Sequence, residues 1–321
     1  MSDFSVNKVG ACVEQGRFLG PSDDGSFDWY MSYGPSTKNE REMRRRRDND
    51  IKRREDAKRE ESRLMEQHAL EKAESEKIIN LPAWPNSARG VPNSILRGSL
   101  FAAIQERYAR NLQREVLHHR EGLKIVYSGT RLTQSDLDVW ELLLHLARKH
   151  KLGDRVYFRE SFFLKLLDRN TGKREYEWLK KVIARLKATS VEITHNEKTY
   201  GGSLIDEFYR DESAKRGGYY IVINPKIARL YDAGHTYINW EERKLLGKKR
   251  PLAQWLHGYI SSHSRWVPHK VETIRDYSGS ETKELRKFKA KLKAALDLLL
   301  EKKLIIGYSI DSENMLHIDM S

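Results

Sequence analysis

Two clusters of cations carry the chemistry open to this sequence. Lys173, Arg174, Lys180 and Lys181 fall within GKREYEWLKKVIARLKA (Gly172 to Ala188). Lys283, Arg286, Lys287 and Lys291 fall within GSETKELRKFKAKLKAALDLLLEKK (Gly279 to Lys303). An arginine guanidinium is a rigid fork that pairs bidentately with the O6 and N7 edge of guanine, whereas a lysine ammonium is a point charge suited to phosphate. Arg174 and Arg286 are the expected base readers. Lys180, Lys181, Lys283, Lys287 and Lys291 are expected mainly on phosphates, with Lys173 on the same DNA-binding surface.

The elements that must position these groups follow from periodicity. At about 100° per residue, Leu179, Val182, Ile183 and Leu186 share one helix face. Leu285, Phe288, Leu292, Leu296 and Leu299 do the same in the second segment. Each helix is preceded by a short apolar segment and a turn and is followed by β-prone residues, the layout of a helix-turn-helix with a β-wing. An ordinary surface helix also displays Lys and Arg, but it mixes signs. From Glu284 to Lys293 there are five basic residues and one acidic one.

The bulk properties agree with a polyanionic partner. The chain has 321 residues, a net charge of +13 and a single cysteine, Cys12. A surplus of that size favours nucleic acid or an anionic membrane surface. The mean hydropathy of -0.73 and the lack of a long apolar run predict no transmembrane span. No secretory signal is read at the N-terminus, and one cysteine allows no internal disulfide or thiolate zinc finger, so a reducing cytoplasm is the expected location.

Catalytic signatures are missing. No G-x-x-x-x-G-K-[ST] loop occurs, which argues against a Walker-type nucleotide site. His257, His263 and His269 recur every six residues, a spacing of neither H-E-x-x-H nor a zinc-finger pair. His118 and His119 do not form the two-histidine motif of nicking initiators. The expectation is a binder, not an enzyme, with no catalytic residue, no cofactor and no metal.

The expected fold class is α+β, with two tandem winged-helix (helix-turn-helix) domains preceded by a disordered or partly helical charged N-terminal arm. Residues 1–80 are the arm, disordered over about the first 35 residues and Arg/Glu/Lys-rich from Lys38 to Lys77, where opposite charges fall at i,i+4. Residues 81–120 are a Pro-containing connector that docks by Trp84, followed by a helix from Ile95 to Leu117. The first winged-helix domain spans 121–232 and the second 233–321. Within them, Ser135 is expected to cap a helix carrying Val139, Leu142, Leu143 and Leu146. Ser280 or Thr282 is expected to cap the second reading helix.

Several blocks in this order resemble the TrfA-type plasmid replication initiators. They are LPAWPNSARGVPNSILRGSLFAAI, KIVYSGTRLTQSDLDVWELLL, RLKAT, LYDAGHTYINWEERKLL and YISSHSRWVPHKVETIRDYSGSETKELRKF, spread over about Leu81 to Ile306. The resemblance implies two winged-helix domains that bind repeated sites (iterons) in the double-stranded DNA of a plasmid origin and help open an adjacent AT-rich region. It also implies recruitment of the host initiator and replicative helicase, a monomer–dimer self-association switch, and copy-number control by pairing of origin-bound copies. One family feature is not matched. Where the family prototype has a QLSLF-type sliding-clamp-binding segment, this chain has SEKIINL (Ser75 to Leu81), without the Gln or the aromatic. The resemblance therefore does not carry clamp binding over to this chain.

The leading expectation is an origin-binding initiator. The alternative is a winged-helix transcription regulator, including an autorepressor. A nucleic-acid-processing enzyme, the third reading, would need metal-dependent cleavage, for which no sequence feature speaks.

Overall fold

The computed structural model describes residues 38–77, 80–117, 123–195, 198–211, 218–231 and 234–320. The expectations for residues 1–35, for His118 and His119, and for the strand start at Gly122 lie outside the described residues, as does part of Ser75 to Leu81. The chain divides into two units, Met1–His68 and Ala69–Ser321. Helix α1, Lys38–Lys77, has its described side chains in solvent. It has no apolar seam to bury. Local opposite-charge pairs such as Glu42 with Arg46, at 3.1 Å, are what its sequence offers in place of packing.

The following chain builds β1 (Ala88–Pro92), α2 (Asn93–Leu96), β2 (Phe101–Ala102), a 3-10 turn at Glu106–Tyr108, β3 (Asn111–Leu117), β4 (Leu123–Thr130), β5 (Leu132–Thr133) and α3 (Gln134–Ala147). The helix expected from Ile95 to Leu117 is thus reduced to the short α2. It stops at Leu96, and the apolar residues beyond are consumed by strand pairing and core packing. Strand β3 runs antiparallel to β4, with Leu112 and Leu117 buried. Helix α3 is not capped by Ser135. The Asp136 carboxylate accepts hydrogen bonds from the Thr133 backbone N–H (2.7 Å) and hydroxyl (3.0 Å), closing the first turn. Trp84 is buried, as a docking residue should be, and donates Nε1–H to His145 Nδ1 at 3.1 Å. Its ring lies so close to Gly90 that a Cβ there would meet it at 2.5 Å.

Next come β6 (Arg155–Arg159), α4 (Glu160–Leu166), α5 (Lys173–Ala188), β7 (Ser190–His195), β8 (Lys198–Gly202), β9 (Ile205–Arg210) and β10 (Gly218–Ile223). Strand β10 lies between β6 and β9, antiparallel to both. The β7–β8 pair leaves this sheet and extends the other, giving the order β3-β4-β7-β8.

The C-terminal part contains β11 (His235–Asn239), α6 (Trp240–Leu245), α7 (Pro251–Ser261), β12 (His269–Lys270), α8 (Val271–Tyr277), α9 (Leu285–Glu301), β13 (Ile305–Ile310) and β14 (Met315–Met320). Pro251 opens α7, where its missing N–H costs nothing. Strand β14 lies between β12 and β13. The order α3-β6-α4-α5 followed by the β9–β10 hairpin therefore recurs as α7-β12-α8-α9 followed by β13–β14, with the same strand placed centrally. One apolar core gathers residues from Leu81 to Trp240, and a second gathers residues from Leu246 to Ile318.

The two cores meet across α3 and α7. Arg243, fully buried, reaches from α6 into this seam. Its Nε donates to Asp138 at 2.6 Å, Nη2 to Gln134 at 3.1 Å and Nη1 to the Gln254 carbonyl at 3.2 Å. Strand β1 pairs with β11 from Ala88↔Asn239 to Pro92↔His235, which ties the start of the unit to the segment between the cores.

Candidate nucleic-acid interface

Helix α5 buries the face its periodicity requires: Leu179, Val182, Ile183 and Leu186. Lys173, Arg174 and Lys181 project into solvent. Lys180 is half-buried and its Nζ lies 2.6 Å from Glu177, which holds that carboxyl below its usual range. The turn into α5 is pinned. Asp168 adopts a left-handed φ of 55°, and Arg169 stacks 3.4 Å over the Trp178 ring while pairing with Glu175 at 2.7 Å. Arg185, the other arginine of the helix, is turned inward to Asp136 and to Glu106 at 3.1 Å. It fixes α5 against α3 and is unavailable to a partner.

Helix α9 buries Phe288, Leu292, Ala295, Leu296 and Leu299. Four of its five cations divide into three groups. Arg286, 91% exposed, extends from the first turn, 3.5 Å from Glu284, and Lys287 pairs with the same Glu284 at 2.7 Å. Lys289 donates to Asn314 at 2.7 Å and so joins the helix to the β13–β14 turn. Lys291 donates to Thr282 at 2.9 Å and turns to the side. Neither Ser280 nor Thr282 caps the helix. It begins at Leu285 after an extended Glu284, so Lys283 lies in the lead-in and not on the helical arc.

Lys293 is a residue that reading by cluster missed. It is exposed, and Arg286, Ala290, Lys293 and Asp297 recur at i, i+4, i+7 and i+11, forming one outward stripe. Counting from Arg286 would have found it. The two alanines Ala290 and Ala294 keep this surface low, which permits close approach of a partner. The β13–β14 turn is acidic instead: Asp311 accepts from the Met315 N–H at 2.8 Å and from His317 at 3.1 Å, and is held below the usual carboxylate range.

Side chains with chemical potential elsewhere are engaged structurally. His257 lies buried 3.3 Å from Glu242, and burial lowers its pKa to about 4. His263 and His269 pack around Tyr259. No group of three or more metal-ligating residues comes together among the described residues. No helix there is long and apolar enough to cross a membrane.

A model of the TrfA protein family matches residues 45–319. The chain belongs to the TrfA family. It is similar to the plasmid replication initiator protein TrfA of Escherichia coli, at 27% identity over 229 residues, which is 69% of this chain and 59% of that protein's length. Among solved structures, domains 2 and 3 of RctB match with a TM-score of 0.51 and 15% identity, covering 71% of this chain and 98% of that one. A second crystal structure of those domains matches with a TM-score of 0.47 and 13% identity, over 71% and 96%. The RctB likeness speaks for the α+β fold alone. The TrfA match begins inside α1 and takes in both repeats, so both cation-bearing helices belong to the family's shared region.

Proposed function

We propose that this chain is a plasmid replication initiator that binds repeated sites in double-stranded DNA at an origin, through two winged-helix heads. The observation that carries the reading is the repeated order of elements, each repeat displaying exposed cations at or beside the start of its longest amphipathic helix. Membership of the TrfA family supports an origin as the DNA. Helices α5 and α9 are the reading helices, entering successive major grooves about 10 bp apart, so that one chain covers roughly 15–20 bp without needing a palindrome. Arg174 and Arg286 read bases. Lys173, Lys181, Lys287 and Lys293 contact phosphates, with Lys180 and Lys283 at the margins.

The chain acts by binding and needs no catalytic group. Opening of an AT-rich region, recruitment of a host initiator and helicase, and self-association that limits copy number complete the proposed role. The test is replication itself. A plasmid carrying the candidate origin but lacking this gene is introduced into a host that supplies the protein from elsewhere. Maintenance only when the protein is supplied is the expected result. No replication despite stable expression and a complete origin sinks the reading.

A further inference from the structure

The loop between α6 and α7, Gly247–Arg250, is basic, and it lies between the lead-ins to the two proposed reading helices. Lys248 donates Nζ–H to the Asp168 carbonyl, in the turn that precedes α5. Lys249 and Arg250, on the other side of the loop, line a cleft of ≈ 730 Å³ together with Arg107 of the Glu106–Tyr108 turn and with Thr282 and Lys291 of the α9 region. Lys248, Lys249 and Arg250 are exposed, and none of the three has an ion-pair partner among the described residues. The nearby acid, Glu281, is 3.4 Å from Arg110. Gly247 takes a left-handed φ of 72°, which turns the chain out of α6 into the three exposed cations.

An exposed run of cations without carboxylate partners is a poor stabiliser of the fold and a good site for a polyanion. Its position decides which one. A duplex that places successive major grooves against α5 and α9 must pass its phosphates across the ground between them. We infer that the Gly247–Arg250 loop, with Arg107 and Lys291, is a third contact to the duplex: a phosphate-backbone track that bridges the two heads and reads no sequence. This inference rests on the two-headed DNA-binding reading above. It assigns the interval between the heads, which that reading leaves without a role.

The test is the salt dependence of duplex binding by the full chain. Each phosphate neutralised contributes about 0.9 to the slope of log affinity against log salt. Lys248→Ala/Lys249→Ala/Arg250→Ala is expected to make the slope shallower by about 2–3. It is expected to weaken origin and random duplexes by the same factor, leaving base preference intact. Lys249→Ala/Arg250→Ala retains the Lys248 contact to the fold and is expected to lose about 2 of the slope. Matching thermal melting curves of these variants confirm folding. Lys149→Ala/Lys151→Ala removes two charges beside the end of α3 and serves as control.

An unchanged slope in the loop variants, while Arg286→Ala still relaxes base preference, overturns the track and leaves the two heads standing. An equal change in the control overturns it too, since the effect would then be net charge. Loss confined to the origin sequence overturns it by making the loop a base reader. Absence of duplex binding by the unaltered protein overturns both readings together.

Discussion

Arg243 Nε donates to Asp138 Oδ1 at 2.6 Å across the seam between the two apolar cores, with the arginine 2% exposed. The same guanidinium lies 3.8 Å from Glu141, whose carboxylate is wholly buried and accepts no hydrogen bond. Removing Arg243 leaves the Asp138 carboxylate without its partner and the Gln134 and Gln254 acceptors without this donor at a buried seam. Arg243→Met is therefore expected to destabilise the chain by about 3–5 kcal/mol. Urea unfolding measures it. A loss no larger than that of an exposed lysine substitution, under about 0.5 kcal/mol, would show that the seam contributes little to the fold.

Glu141 makes stability depend on pH with a definite sign. Burial pushes its carboxyl up to about 7, from 4.5, against the opposing pull of Arg243. Between those values the folded chain holds a proton that the unfolded chain has released, so Glu141's contribution is largest below pH 4.5 and is lost as pH rises through 7. Glu141→Gln carries no such proton. Its stability relative to the unaltered chain should rise steadily over that window and level off above it. Parallel stability curves for the two proteins would rule this out.

Gly279 sits where the Phe101–Ala103 segment meets the second repeat, and Ala103 N–H donates to the Ser278 carbonyl there at 2.7 Å. Its φ is +63°, and a Cβ would stand 2.4 Å from Arg131 Nη2 and 2.9 Å from Ser99 Cβ. The arginine end can move aside, but Ser99 Cβ is anchored to backbone. Gly279→Ala is expected to cost about 2 kcal/mol or more, by left-handed strain plus overpacking. Thermal melting checks it. An unchanged melting temperature would mean that the junction relaxes freely.

The two amphipathic helices were legible because a 3.6-residue period needs only local sequence. Leu179 to Leu186 and Phe288 to Leu299 are buried as counted. The segment from Ile95 to Leu117 was misread for the same reason. Ile95, Leu96, Leu100 and Ile104 imitate helical spacing, yet the helix ends at Leu96, the buried Leu100 and Ile104 lie among short strands and turns, and β3 is fixed by pairing with β4. Partners remote in sequence explain most other departures. Arg185 looks like a free cation of α5 until Asp136, 49 residues away, is seen to hold it. Arg243 gives no sign of its role because Asp138 is 105 residues distant. Lys291 is diverted by Thr282, which the expected helix start would have placed on the helix itself.

Arg286 and Lys293 lie on one stripe of α9 but should fail differently. Arg286 stands at the helix start, 91% exposed, with a fork that fits a guanine edge. Lys293 stands two turns further on, where a helix entering a major groove by its N-terminal end has begun to leave the base edges and passes near the backbone. Arg286→Ala is expected to cost about 1–3 kcal/mol on the origin repeat, far less on random duplex, and to relax the preference at one base pair. Lys293→Ala is expected to weaken both duplexes alike and to lower the salt slope by about 1. Fluorescence anisotropy with single-base-pair variants of the repeat separates the two. Equal losses for Arg286→Ala on both duplexes would make it a phosphate contact and would move base reading in this half to another residue.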